Sequence, residues 1–418
     1  MANKNVADVV FLSSVQVLNL IIPVFMFPYI VHAIGVAQFG TWTLISALYG
    51  FFQIITDYSF NAQLVNDYVM SRMDRHKDIL VFCSLMIKSG LITLSLLVSI
   101  PLALWVFHLS AVEAAALSLF IVGNGISCFW VYQARGLLRQ FSLISSLFRI
   151  MNALLIFIFV KNEDDFNLLL LLSSASVLVS GVVLNLAVGA QRSLVGSGLN
   201  LKRTMYYLKK GAPVVLTNLS ITGYTNLKLI IVSRFCSAYA FGLFSIIDRL
   251  VWVIQTIPLT SVLQVLYPRL AVDYKNRRNV FFKKIRYYQT LVNGFYLAEL
   301  LLFYALHEYL FNSILNVQLE GDFGLVLILF LVNSFITNTS AVKVHYFLIS
   351  KSFKAYFNIH FYAALAGTAL IAILASQYDV VGGIAAVLAT TCVIVVFTHI
   401  IYQKHYEDSV RRLGVSAI

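Results

Sequence analysis

Lysine and arginine alternate along this chain in a way that leaves few folds open. Twelve apolar stretches, each near the roughly 20 residues a spanning helix needs, cover 8–32, 40–64, 79–107, 111–133, 143–160, 167–189, 212–234, 240–266, 288–311, 323–346, 356–376 and 382–402. Of the 30 Lys and Arg residues, 24 fall in every second gap between them. Positive loops are retained on the cytoplasmic side of a bilayer. The alternation therefore predicts an all-α integral membrane protein of twelve transmembrane helices with both termini cytoplasmic. The opposite loops hold only Lys161 and, at an edge, Arg234, and are otherwise acidic, with Glu113, Glu163, Asp164, Asp165, Glu320, Asp322 and Asp379. A missed helix would invert every later loop, so the regularity also supports the count.

Composition agrees. The 418 residues are 60% apolar and 11% charged, against about 25% charged in an ordinary soluble protein. The net charge of +12 is dispersed over short loops, which suits the anionic face of a membrane and not nucleic acid. Lys4 alone precedes the first apolar stretch, which runs past Ile30. That is too long for a signal-peptide core, so a retained first helix is expected. Cys83, Cys128, Cys236 and Cys392 are scattered without a CxxC, so no disulfide framework or metal site is expected. No GxxxxGK[ST], HExxH or GxSxG motif occurs. The outer loops are too short for a catalytic domain. The expectation is a secondary transporter, not an enzyme, with no cofactor and no metal.

Residues 191–211 are polar, basic and contain Gly and Ser, and are expected to link an N-terminal six-helix bundle (1–190) to a C-terminal one (212–418). An internal echo supports two halves: Ala37-Gln38-Phe39-Gly40 and Tyr239-Ala240-Phe241-Gly242 sit in matching outer loops. Six-helix halves keep one orientation, as parallel repeats do.

Four cations fall inside apolar stretches, where a central charge costs about 2.5–3.5 kcal/mol and normally faces water or a partner. Lys88 and Arg249 each lie about 15 Å from a helix end, near the midplane. Lys228 lies in the outer half of the seventh stretch, and Lys343 lies toward the cytoplasmic end of the tenth. Lys228 and Lys343 can also reach an interface by snorkelling. For Lys88 and Arg249 the bland alternative is a structural ion pair. Arg149 begins the fifth stretch, as an inner-mouth cation or a solvated helix end. Asp57 is a candidate coupling carboxylate or a hydrogen-bonded helix-end residue, and Glu299 is a candidate partner for either deep cation. Asp248 adjoins Arg249 but points elsewhere on a helix. Fixed positive charge in a cavity suits an anionic substrate, and arginine suits phosphate.

Pro28-Tyr29-Ile30, Gly35, Phe39-Gly40 and then Asp57-Tyr58-Ser59-Phe60 resemble the first-helix-pair signature of Wzx-type O-antigen and polysaccharide repeat-unit flippases. These belong to the multidrug/oligosaccharidyl-lipid/polysaccharide (MOP, MATE-like) exporter superfamily. Tyr58 and Ser59 stand where that family's run has Phe and Gly. Trp130, Gln133 and Gly136 resemble its W-x-x-Q-G region, with Ala134 and Arg135 inserted, and Pro268-Arg269-Leu270 resembles the close of its eighth helix. The resemblance implies a MATE-like fold in the bacterial inner membrane. It also implies alternating-access translocation of an undecaprenyl-pyrophosphate-linked oligosaccharide, with other polysaccharide assembly proteins as partners. Lys88, Arg249, Lys228 and Arg149 would bind the headgroup; Asp57 or Glu299 would be a charge partner or couple to a proton or sodium gradient. The rivals are a multidrug cation antiporter of the same fold, which calls for a carboxylate-dominated cavity, and a membrane-embedded polymerase or ligase, which calls for a long outer loop.

Overall fold

Inside lipid every backbone N–H and C=O needs a partner within the chain, and every described element of the computed structural model is helical. It describes residues 2–190, 201–350 and 352–413, without the side chains of residues 2–21 and some others. Residues 191–200 of the expected linker, with Arg192, and Lys351 lie outside it, as do the side chains of Lys4, Pro268, Lys354, Arg411 and Arg412. Among the described residues eight helices are long and apolar enough to cross a membrane, or nine with one bent pair taken as a span. The chain is a multi-pass membrane protein. Its contacts divide into two compact units, Met1–Ile230 and Ile231–Ile418.

The first unit opens with α1 (Ala2–Asp57), broken at Gly35 (φ 75°, ψ 167°). The Phe27 and Phe39 rings meet at 5.4 Å across the break, whereas twelve residues of straight helix would separate them by about 18 Å. The chain therefore folds back at Gly35. A Cβ there would stand 2.5 Å from Glu163 Oε1, so both the backbone angle and the space call for glycine. The second break is sharper than the continuous stretch 40–64 expected from sequence. Tyr58 (φ 47°) and Ser59 (φ 51°) are both left-handed, and α2 (Phe60–Met70) starts anew.

Helices α3 (Asp74–Pro101), α4 (Ala111–Ile126), α5 (Phe129–Ala134), α6 (Leu138–Phe159) and α7 (Phe166–Val188) follow. Ser110 and Glu113 form a reciprocal capping box at the start of α4. Before α7, the N–H groups of Lys161 and Asn162 donate to Asp165, and these bonds hold its carboxyl below the usual carboxylate range. The stretch 111–133 also departs from expectation, breaking at Ser127–Cys128 between α4 and α5. Helices α4 and α7 meet backbone to backbone: a Cβ on Gly181 would overlap the Gly123 carbonyl, and one on Gly123 would lie 2.5 Å from the Leu178 Cα. Gly181→Leu is expected to force the pair apart and cost about 1–3 kcal/mol, read as a lower unfolding temperature in detergent. Wild-type stability would mean the contact is not needed.

Residues 201–211 of the expected linker form the first turns of α8 (Leu201–Asn218), which continues through a π-helical turn (Leu219–Gly223) into α9 (Tyr224–Phe235). Tyr58 Oη donates to the Leu208 carbonyl at 2.6 Å, and Lys210 meets Asp67 at 2.5 Å. That hydrogen bond raises the Lys210 pKa.

The second unit contains α10 (Ala238–Asn276), α11 (Arg278–Glu308), α12 (Phe323–Asn338), α13 (Ala341–Ile349) and α14 (Phe353–Leu413). Helices α12 and α13 are bent by 41° across Thr339–Ser340. Gln289 repairs that bend: its Nε2 donates to the Asn338 carbonyl at 2.7 Å, and its Oε1 accepts the Val342 N–H at 2.9 Å. One buried amide thus satisfies groups that a kink would strand in lipid. Helix α14 breaks at Tyr378–Asp379. A Cβ on Gly382 would overlap the Leu374 carbonyl, although eight residues of straight helix span about 12 Å, so the chain folds back there too. In the echoed segments, Phe39 and Phe241 are each buried in their own unit.

Candidate functional site

Polar side chains in a lipid-embedded bundle are placed by helical spacing, and in the first unit four helices turn theirs inward together. Ser142, Ser145, Arg149 and Asn152 repeat at steps of three and four along α6, which puts them on one face. Ser173, Ser176 and Ser180 do the same on α7. Tyr49 and Gln53 from the second limb of α1, and Asn124 with Ser127 at the end of α4, complete a cavity of about 370 Å³. Arg149 is its one cation, and no carboxylate occurs among the described lining residues.

Some of this polar surface is internally satisfied. Gln53 Nε2 donates to Asn124 Oδ1 at 3.4 Å, and Ser176 Oγ donates to the Phe148 carbonyl at 3.2 Å. Three buried lining atoms have no protein partner: Asn124 Nδ2, Asn152 Oδ1 and Ser173 Oγ. Each such atom costs about 1–3 kcal/mol. The arrangement offers one guanidinium fork, plus amide and hydroxyl groups that both donate and accept. It can hold an anion beside a polyhydroxylic group.

Lys88 lies directly behind this cavity. Its side chain is 5% exposed, and its Nζ donates to the carbonyl of Ser127, a lining residue, at 2.6 Å. Ser127 follows the last turn of α4, where the chain breaks toward α5 and carbonyls lack helical donors. The ammonium fills that role. Asp57 Oδ1 stands 3.6 Å from the same nitrogen, and its side chain is 48% exposed. Two sequence-predicted site residues from α1 and α3 are thus brought together at the foot of α4.

The other candidates are placed separately. Lys228 is half-buried on α9. In the second unit the Arg249 guanidinium lies 5.3 Å from the Trp252 ring centroid, one turn on along α10. Glu299 is half-buried on α11 and its Oε2 has no hydrogen-bond partner. Among the described residues no ion pair joins Glu299 to Arg249, and no group of three His, Cys, Asp or Glu side chains forms a metal cluster.

The motif residues that carried the sequence resemblance build the frame. Tyr29 Oη donates to the Val160 carbonyl at 2.6 Å, tying α1 to the end of α6. Ser59 Oγ accepts from Asn218 at 2.7 Å, and Gln63 donates to the Tyr58 carbonyl at 3.0 Å. Trp130 is buried edge-on to Tyr68, and Arg135 donates to the Val188 carbonyl at 2.7 Å at the end of α7. Sequence reasoning missed the α6 and α7 stripes and Asn124. The signal was present in the three-and-four spacing of the serines, which a search for isolated charges passes over.

Residues 6–272 match the family model described as "Polysaccharide biosynthesis protein". A candidate O-antigen transporter of Escherichia coli (strain K12) is 23% identical over 398 residues, covering 93% of this chain and 94% of that protein. One of the same description from Shigella dysenteriae is 22% identical over 280 residues, 64% of this chain and 68% of its own. Among solved structures, the lipid II flippase MurJ in an inward closed conformation aligns with a TM-score of 0.73 at 12% identity, covering 93% of this chain and 86% of that one. An inward-facing multidrug resistance MATE family transporter of the MOP superfamily gives 0.69 at 12% identity, covering 94% and 95%. These two likenesses are of fold, and the fold is that of the MOP transporters. With well over half of its length inside the family model, the chain belongs to the polysaccharide biosynthesis protein family.

Proposed function

We propose that this protein is a flippase of the bacterial inner membrane. It moves an undecaprenyl-pyrophosphate-linked oligosaccharide, an O-antigen repeat unit, from the cytoplasmic to the periplasmic leaflet by alternating access. The observation that carries this reading is the first unit's cavity, with one arginine among hydroxyls and amides and three buried polar atoms without protein partners. A pyrophosphate matches the guanidinium fork, and sugar hydroxyls match the unpaired amides and serine. The relatives named as O-antigen transporters support the same substrate class. A multidrug cation antiporter shares the fold but would need carboxylates where this lining has an arginine. The activity is transport, not catalysis.

In this scheme Arg149 contacts the headgroup, and Lys88 serves the same site by fixing Ser127. Arg249 and Lys228 supply further positive charge for the anionic headgroup during the cycle. Asp57 and Glu299 are the carboxylates available as charge partners or for coupling to a proton or sodium gradient. Partners are the lipid-linked substrate, membrane lipids and other polysaccharide assembly proteins. The topology is twelve spans in two six-helix bundles, 1–190 and 212–418, joined by 191–211, with both termini cytoplasmic. The fold-backs at Gly35 and Asp379, the bent α12–α13 pair and the α8–α9 run support that count.

Two measurements test this. Arg277→Cys and Asp165→Cys are expected to react with a membrane-impermeant thiol reagent from opposite faces, and labelling from one face would overturn the topology. Deletion of the gene is expected to leave lipid-linked repeat units on the cytoplasmic leaflet. Undiminished delivery to the periplasm would overturn the function.

A further inference from the structure

The second unit holds a cavity of about 490 Å³ that the transport scheme leaves unused. It lies where the first turns of α11, helix α13 and the last part of α14 come together. Lys283 and Arg286 from α11, Lys343 from α13 and His399 from α14 line it, and none of the described lining residues is a carboxylate. The nearby Asp273 is already engaged by Lys284 at 2.6 Å. Lys343 Nζ stands 3.1 Å from His399 Nδ1. An imidazole ring carries no negative charge, so this contact leaves the Lys343 ammonium without a counter-charge.

The walls suit a membrane interface. Tyr402 and Tyr406 line the cavity, and the Arg286 guanidinium lies 5.7 Å from the Tyr406 ring centroid. That packing holds the guanidinium plane in place. Three cations sharing one concavity without an acid repel one another, so an anion would stabilise the arrangement. The fork of Arg286 and the point charges of Lys283 and Lys343 suit phosphate oxygens. Lys283 and Arg286 also belong to the most basic of the loops that the charge alternation assigns to the cytoplasmic side, where basic pockets between helices take acidic headgroups.

We propose that this cavity is a second anion site, which binds a phosphate group at the cytoplasmic edge of the second unit. The phosphate comes from an acidic phospholipid headgroup or from a free phosphate in the cytoplasm. Residues of the second unit alone line the site, and the proposal does not depend on what the first unit's cavity carries.

The test is native mass spectrometry of the full-length protein. Samples contain phosphatidylglycerol, phosphatidylethanolamine or inorganic pyrophosphate. The variants are R286Q/K343Q and the charge-keeping R286K/K343R. Wild type is expected to retain phosphatidylglycerol over phosphatidylethanolamine, with retention about tenfold or more lower in R286Q/K343Q and falling between wild type and that variant in R286K/K343R. A loss seen with pyrophosphate and not with phosphatidylglycerol would assign the site to a free phosphate. Equal retention of both anions by wild type and R286Q/K343Q would overturn the proposal. So would equal loss in the charge-keeping variant, because the effect would then not be one of charge.

Discussion

Replacing Arg149 with glutamine is expected to lower flux of lipid-linked oligosaccharide by about tenfold to a hundredfold, with thermal stability almost unchanged. Arg149 is exposed and lines the cavity, and substitutions at exposed positions usually change stability by less than about 0.5 kcal/mol. A charge-assisted hydrogen bond is worth about 1.5–3 kcal/mol, and each 1.4 kcal/mol is roughly a factor of ten. Lysine at this position keeps the charge but loses the two-pronged geometry, so Arg149→Lys should fall between the two. Flux measured beside an unfolding curve checks both halves of the expectation. Full flux in Arg149→Gln would remove the guanidinium from the mechanism.

Lys88→Met is expected to lose stability as well as flux. The side chain is 5% exposed and donates to the Ser127 carbonyl at 2.6 Å. Its loss strands that carbonyl, which costs about 1–3 kcal/mol. Asp57 adds little, because its side chain is 48% exposed and solvent screens the pair, leaving about 0–1 kcal/mol. Lys88→Met should therefore lower the unfolding temperature by several degrees and reduce flux, because Ser127 shifts. Asp57→Asn should cost less than about 1 kcal/mol. If Asp57→Asn proves as destabilising as Lys88→Met, the ion pair and not the carbonyl contact is what Lys88 is there for.

These two residues show what could be read from the sequence. Lys88 announced itself because a charge deep in an apolar stretch demands a partner. The sequence could not say that the partner is a backbone carbonyl, since Gly123 and Gly125, which precede the break at Ser127–Cys128, lie within α4 and do not mark where it ends. The reversals near Gly35 and Asp379 were legible as gaps between apolar stretches, marked by Gly35 and Gln38 in one and by Gln377 and Asp379 in the other. The break after Asp57 was not, because Tyr58 and Ser59 sit in a left-handed conformation that their residue types disfavour. That strain is retained by the Tyr58–Leu208 and Asn218–Ser59 hydrogen bonds, which come from sequence-distant α8. The cavity itself was hidden for another reason. Serines are common in apolar helices, where they bond to their own preceding turn. Ser142, Ser145, Ser173, Ser176 and Ser180 become a site only when α6 and α7 face each other. The bend between α12 and α13 depends likewise on Gln289 from another helix.

The most direct test of the account is transport by the purified protein in sealed vesicles. They are loaded on one leaflet with an undecaprenyl-pyrophosphate-linked oligosaccharide and probed with an impermeant sugar-binding reagent on the other. The expected result is appearance of the oligosaccharide on the probed face in vesicles containing wild-type protein. It should be slowed at least about tenfold by Arg149→Gln and absent from protein-free vesicles. Equal appearance with and without the protein would contradict the assignment of this chain as a flippase.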